Sequence, residues 1–249
     1  MSKLLIALIL ILSNKLFSLE FLCFEKKAEY LEGSKEFINL SKEEFADLIK
    51  KQIQEKKVNV CDVNGNTLLA ASSYLDDIDS VKKLLEAKAD PNIVDIRGQL
   101  PLMIISSKKL PGRLSIAKHL IENGTNINKK SNSGSTALIS AACHNDYELA
   151  QLLLNYKRQA VDIEAYDREG STALTFAMDG SLEIAKLLIL KGANVTVKSV
   201  EMSFRWDSEA RLKLIKFYIK HRLLIQYIQV APLCDVVLEY YVIDETKIV

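Results

Sequence analysis

One pattern that recurs four times constrains the fold of this chain more than any other feature. Each copy opens with a polar turn around a glycine, continues with a helical stretch rich in Ala or Ser, and then carries a Leu-rich helical stretch. The turn glycines are Gly65, Gly98, Gly134 and Gly170, at intervals of 33, 36 and 36 residues. A period of this length is typical of stacked supersecondary units, because one unit alone cannot bury its apolar face.

The residue types within each copy predict two helices. The threonines that directly precede an apolar run, as N-cap residues do, are Thr67, Thr136 and Thr172. In the second half of a copy, apolar residues recur at positions i, i+3 and i+4, as in 182–188. Gly124 and Gly192 follow such runs, where a helix commonly ends in a left-handed residue.

The fourth copy carries the clearest family pattern. It reads Asp-Arg-Glu-Gly-Ser-Thr-Ala-Leu at 167–174, Gly-Ser-Leu-Glu-Ile-Ala-Lys-Leu-Leu at 180–188, and Lys-Gly-Ala-Asn-Val at 191–195. This copy resembles the ankyrin repeat, and the resemblance covers about 140 of the 249 residues. It implies an all-α ankyrin-repeat solenoid, in which stacked helix–turn–helix units are joined by hairpin loops.

The resemblance also predicts the bounds of the repeats and of the capping units. Four repeats are expected at 62–94, 95–130, 131–166 and 167–198. Degenerate capping units are expected on either side of them, at 40–61 and at 199–249, because the terminal units of a solenoid must differ to remain soluble. The segment 19–39 is interpreted as a linker.

The four copies depart from the family pattern at the start of the first helix. Ankyrin repeats usually open this helix with Thr-Pro-Leu-His, and no copy here has both the Thr and the Pro. The second copy keeps Pro101 but has Leu100 in place of the Thr, and it carries extra residues around 109–113. The array is therefore interpreted as a divergent one, and a composition rich in Lys, Ile, Asn and Leu favours a bacterial source.

The first 18 residues are typical of an export signal. Lys3 is followed by nine uninterrupted apolar residues at 4–12 and by the small residue Ser18, which suits cleavage. The apolar run is too short to span a bilayer. The alternatives are a buried helix and an uncleaved membrane anchor that extends to about Leu22. The sequence predicts an exported protein, periplasmic or secreted, with membrane contact through the N-terminal segment left open.

No residue pattern in the chain predicts catalysis or a metal site. The three histidines, His119, His144 and His221, are isolated from one another and lack a ligand partner at helical spacing. The four cysteines show no close pairing, which makes a zinc site improbable, although export would permit disulfides. With 33 basic and 32 acidic residues, the chain lacks the charge of a dedicated nucleic-acid binder. We expect a non-enzymatic monomer with no cofactor.

The resemblance implies a protein partner, bound by the hairpin tips and the first helices along a concave groove. Carried over position by position, the candidate partner-binding residues are Asn64, Asn66, Tyr74, Leu75, Arg97, Lys108, His144 and Arg168. Tyr74 with Leu75 is the predicted apolar anchor, flanked by two cations, because aromatic side chains carry much of the energy of binding. The alternative is that Tyr74 packs against the next repeat.

The sequence is compatible with two functions. The first is an exported protein–protein interaction module that binds its partner through the hairpin tips and the groove. The second is a membrane-anchored structural or envelope protein, which would use the N-terminal apolar segment and the basic stretch at 211–222 as attachments.

Overall fold

The computed structural model of the chain describes residues 29–30, 36–107, 109–196 and 199. It contains two short strands, β1 (Glu29–Tyr30) and β2 (Val60–Cys61), which pair in parallel. The helices are α1 (Lys42–Gln54), α2 (Leu68–Tyr74), α3 (Ile78–Glu86), α4 (Pro101–Ile104), α5 (Arg113–Glu122), α6 (Ala137–Cys143), α7 (Tyr147–Leu154), α8 (Ala173–Gly180) and α9 (Leu182–Leu190). Short 3₁₀ helices span Phe37–Asn39 and Ile105–Ser107.

The helices stack in two rows, as a solenoid requires. The first helices of the four copies, α2, α4, α6 and α8, contact one another in sequence and form the inner row. The second helices, α3, α5, α7 and α9, form the outer row, which α1 extends at the N-terminal end. Leu and Ile side chains from both rows fill one continuous core between them. The predicted all-α solenoid is confirmed.

The predicted helix caps are confirmed in three copies. The side chain of Thr67 accepts a hydrogen bond from the main-chain nitrogen of Ala70, and Thr136 and Thr172 cap their helices in the same way. In the second copy Leu100 gives no side-chain cap, and Pro101 begins the helix. That helix is short and continues as the 3₁₀ turn Ile105–Ser107, so the second copy has the least regular first helix.

Hydrogen bonds join each hairpin tip to the next. The main-chain nitrogen of Ile96 donates to the carbonyl oxygen of Asn64 (3.1 Å), that of Asn132 to Arg97 (2.9 Å) and that of Arg168 to Ser133 (2.9 Å). The tips come close enough that Gly98, at φ +73°, has no room for a side chain, since a Cβ there would clash with Asn132. The four tips therefore form one hydrogen-bonded edge along the solenoid.

The N-terminal unit replaces its first helix with the 3₁₀ turn Phe37–Asn39. Ser41 and Glu44 form a reciprocal capping box that starts α1. Phe37 is fully buried and its ring packs 6.5 Å from that of Phe45. The segment interpreted as a linker, 19–39, therefore includes residues that belong to the core and to strand β1.

Several predicted segments lie outside the described residues. These are the export signal or anchor at 1–18, most of the linker, and the C-terminal capping unit beyond Ser199. Within the described part, no helix is both long and apolar enough to cross a membrane.

The two described cysteines differ in state. Cys61 is fully buried and disulfide-bonded, whereas the thiol of Cys143 is free. Cys143 is exposed at the end of α6. Desolvation of its thiol, with smaller contributions from the charges of Asp167 and Asp179, raises the pKa of Cys143, which keeps this thiol mostly protonated and slow to react.

Candidate functional site

A pocket opens beside the first two hairpin tips, on the face lined by the inner helices. Its volume is about 360 Å³, which lies within the range of small binding sites. We call it the tip pocket, and it is lined mainly by Ile38, Asn64, Asn66, Tyr74, Ile96, Arg97 and Ile104. The pocket is recessed because the adjoining surface of α2 carries only the short side chains of Ala70 and Ala71.

The walls of the tip pocket are apolar. Tyr74 stands at the end of α2, and Ile104 stands at the end of α4. Ile96 lies on the second tip and is 39% exposed. The fourth wall is Ile38, which comes from the 3₁₀ turn of the N-terminal unit. The pocket therefore needs the N-terminal unit in place.

A single carboxylate holds the first tip and the N-terminal unit together. Asp62 is fully buried and accepts hydrogen bonds from the main-chain nitrogens of Asn64 (2.9 Å) and Asn66 (2.9 Å) and from the side-chain amide of Asn66. Its other oxygen accepts a hydrogen bond from the main-chain nitrogen of Phe37 (3.1 Å). Because Phe37 precedes Ile38, Asp62 positions two sides of the tip pocket at once.

The cation of the tip pocket is fixed in direction. The Nε of Arg97 donates to the Oδ2 of Asp95 at 2.9 Å, and Asp95 also accepts from the main-chain nitrogen of Arg97. The Asp95 side chain is 1% exposed, whereas that of Arg97 is 66% exposed. The two terminal nitrogens of Arg97 donate no hydrogen bond within the described residues, so they are available to a ligand.

The structure separates the other predicted binding residues from the tip pocket. Leu75 follows Tyr74 directly but lines a different cavity of about 660 Å³, between the start of α1 and the turn from α2 to α3. His144 is exposed at the end of α6, where its Nδ1 lies 2.8 Å from the carbonyl oxygen of Ser140. Arg168 is exposed on the fourth tip. Lys108 lies outside the described residues.

Two residues that line the tip pocket, Ile38 and Ile104, are not predicted from the sequence to lie at a binding site. Ile38 lies in the segment interpreted as a linker, and Ile104 reads as an ordinary core residue of a first helix. The signal for Ile38 is local: an apolar pair, Phe37 and Ile38, stands three to four residues before Ser41, where the capping box of α1 begins. Such a pair next to a helix start indicates packing against that helix rather than a free linker.

The tip pocket combines apolar walls with a few polar groups. It offers apolar walls, one exposed guanidinium and the side-chain amide of Asn64, which makes no hydrogen bond within the described residues. No group of three or more His, Cys, Asp or Glu side chains in the described part of the chain is arranged to hold a metal ion.

A stack of helix pairs with hydrogen-bonded tips and a recessed pocket defines a repeat solenoid of the kind that presents a binding surface. A family model described as "Ankyrin repeats (3 copies)" matches residues 37–131 and again 102–199. Together these matches cover more than half of the chain. The chain belongs to the ankyrin repeat family, whose repeats generally mediate protein–protein interaction and are generally non-catalytic.

Proteins similar to this chain occur in humans, in a nematode and in a virus. Neurogenic locus notch homolog protein 1 of Homo sapiens is 33% identical over 138 residues, which are 55% of this chain and 5% of that protein. Protein lin-12 of Caenorhabditis elegans is 29% identical over 174 residues, 65% of this chain and 12% of that protein. A putative ankyrin repeat protein of Acanthamoeba polyphaga mimivirus is 24% identical over 217 residues, 72% of this chain and 28% of that protein. This chain thus spans a small part of each relative.

Proposed function

We propose that this protein is an exported, non-enzymatic binding module that holds a partner protein at the tip pocket. The observation that carries the proposal is the meeting of Asn64, Asn66, Tyr74 and Arg97 in one recess with an apolar floor. An aromatic side chain and an arginine at the centre of a partly desolvated surface are typical of the residues that dominate binding energy.

The tip pocket also has the rigidity that binding requires. Asp62 and Asp95 fix the two tips from within, and main-chain hydrogen bonds join the tips to each other. A surface that is already ordered loses little conformational entropy when a partner binds. The half-exposed Ile96 has no packing role in the core, and its burial by a partner would remove apolar surface from water.

The disulfide at Cys61 supports action outside the cytoplasm. Disulfides persist in oxidising compartments and are rare in the cytosol of most organisms. Together with the apolar N-terminal run at 4–12, this bond favours export over a cytosolic role. The alternative function, a membrane-anchored structural or envelope protein, depends on the N-terminal segment staying attached.

The N-terminus of the mature protein separates the two functions. We expect N-terminal sequencing of protein recovered from the source cells to start at Leu19, because Ser18 is the small residue that suits cleavage. A chain that starts at Met1 and sediments with membranes would support the anchored form instead.

Capture experiments test binding at the tip pocket. We expect the full chain to retain a specific partner from an extracytoplasmic extract of the source cells. The variant carrying Tyr74→Ala and Arg97→Glu should lose at least about tenfold in capture, since two central contacts each contribute about 1 kcal/mol or more. The matched control carries His144→Ala and Arg168→Ala, two exposed residues outside the pocket. If the control loses the partner and the pocket variant keeps it, the site lies elsewhere.

A further inference from the structure

We infer that the tip pocket recognises a peptide segment in which an apolar side chain stands next to a carboxylate. This inference rests on the proposed function and adds the chemistry of the partner. It follows from the placement of one oriented cation at the edge of an apolar recess.

The apolar part of the ligand is set by the recess. Its volume of about 360 Å³ and its walls of Tyr74, Ile96, Ile104 and Ile38 suit one or two aliphatic or aromatic side chains. A charged side chain packed against these apolar walls would lose hydration without gaining a partner, which is costly. The recess therefore selects an apolar residue.

The charged part of the ligand is set by Arg97. Its Nε is occupied by Asp95, and the Asp95 charge is buried and already paired. The two terminal nitrogens point away from this pair as a planar fork, and such a fork binds a carboxylate through two parallel hydrogen bonds. A lysine or arginine of the partner would instead meet a like charge at this position.

The spacing between the two parts is set by the second tip. Ile96 and Arg97 are consecutive residues, and both line the recess. A ligand that fills the apolar recess and reaches the guanidinium must therefore carry its apolar and acidic residues next to each other or one residue apart. The free amide of Asn64 adds a donor and an acceptor on the same side, which suit the main chain of a bound peptide.

A polyanion fits the tip pocket less well than an acidic peptide. Proteins that bind phosphates along a nucleic acid use several Lys and Arg side chains in one surface. Arg97 is the sole cation lining the tip pocket in the part of the chain that the structure describes. One cation beside an apolar recess suits a single carboxylate.

Matched peptides test the inference on the full, disulfide-intact chain. The probes are acetylated and amidated Ser-Gly-Leu-Asp-Gly-Ser, its Leu-Asn and Leu-Lys analogues, and an Ala-Asp analogue, titrated into isotope-labelled protein and followed by amide chemical shifts. We expect the Leu-Asp peptide to bind about tenfold more tightly than the Leu-Asn peptide, as a charge-assisted pair implies. The shifts should centre on Asn64, Tyr74, Ile96 and Arg97, and the Ala-Asp peptide should bind weakly.

Variants of the cation give the decisive comparison. Arg97→Gln should abolish the preference for Leu-Asp over Leu-Asn, and Arg97→Glu should turn the preference towards Leu-Lys. Arg168→Glu, an exposed cation on another tip, should leave the preference unchanged. Asp95 keeps the hydrogen bonds from the main-chain nitrogens of residues 97 and 99 in these variants, so they are expected to fold, and the dispersion of the amide signals checks this.

Three results would overturn the inference: equal affinity for the Leu-Asp and Leu-Asn peptides, the same response to Arg168→Glu as to Arg97→Glu, or no shift at the tip pocket with any peptide. None of these results would contradict the proposed function. That function is tested separately, by capture of a partner by the wild type and by the loss of capture in the variant with the Tyr74 and Arg97 changes. The two failures are therefore distinguishable.

Discussion

Replacing Asp62 with Ala is expected to lower the free energy of unfolding by about 3–5 kcal/mol, because each buried donor left without a partner costs about 1–3 kcal/mol. The fully buried Asp62 carboxylate accepts hydrogen bonds from main-chain nitrogens in two separate segments, at Phe37 and at the first tip. Chemical denaturation followed by circular dichroism measures the change. The variant should also lose ligand binding at the tip pocket, since Ile38 is held next to Phe37.

The equivalent residue of the fourth copy is the matched control. Asp167 accepts hydrogen bonds from the main-chain nitrogens of Glu169 (2.9 Å) and Ser171 (2.8 Å), both within its own tip. We expect Asp167→Ala to cost less, about 2–3 kcal/mol, because two main-chain donors rather than three lose their acceptor. Equal losses in the two variants would show that the bond from Phe37 to Asp62 contributes nothing to stability.

Replacing Arg113 with Ala is expected to destabilise the protein by about 3–5 kcal/mol, the usual cost of leaving one partner of a buried ion pair alone. Arg113 donates from Nε to Asp146 Oδ2 (2.8 Å) and from Nη2 to Asp146 Oδ1 (3.0 Å). The Asp146 side chain is 0% exposed and that of Arg113 is 13% exposed. The hydrogen bond to Asp146 raises the pKa of Arg113, so the guanidinium stays charged at every working pH.

Two further variants distinguish the effect of breaking the ion pair on the free energy of unfolding from the effect of losing a side chain. Lys186→Ala removes a surface pair with Glu183 (3.7 Å) and should change the free energy of unfolding by less than about 1 kcal/mol. Asp146→Ser combined with Arg113→Ala should recover part of the stability, because no buried charge is left and serine still caps α7. If Arg113→Ala behaves like Lys186→Ala, the pair does not hold the second and third copies together.

The regular parts of this fold were open to prediction because their causes are local. A glycine at positive φ in a tip, such as Gly98, and a threonine at a helix start, such as Thr67, act within a few residues of themselves. The tip glycine recurs in all four copies and the threonine cap in three, so the period could be read from the sequence. The stacking of helix pairs then follows, since each pair has an apolar face that only a neighbouring pair can cover.

The second copy shows where local reasoning fails. Its missing cap and its extra residues at 109–113 indicate a weak unit, and its first helix is indeed short. The same insertion nevertheless delivers Arg113 to Asp146, a residue 33 positions away in the chain. The periodicity of a repeat predicts which copies touch, but it does not predict which side chains meet between them.

The candidate site shows a second feature that the sequence does not predict. Tyr74 and Leu75 are neighbours in the chain, and the sequence favours them as one apolar anchor. Successive residues of a helix point about 100° apart, because the helix has about 3.6 residues per turn. At the end of α2, this rotation sends Tyr74 into the tip pocket and Leu75 towards the cavity beside α1. The sequence therefore predicts that Tyr74 and Leu75 are exposed apolar residues, but it does not predict that they line two different cavities.

Site-resolved photo-cross-linking from position 74 tests the central claim most directly. The full chain, with its disulfide intact, would carry the photoreactive residue p-benzoylphenylalanine at position 74 in one form and at position 144 in the other. Because Tyr74 lines the tip pocket and His144 lies outside it, irradiation with the partner should give a covalent adduct from position 74 alone. An adduct that forms from position 144 and not from position 74 would contradict binding at the tip pocket.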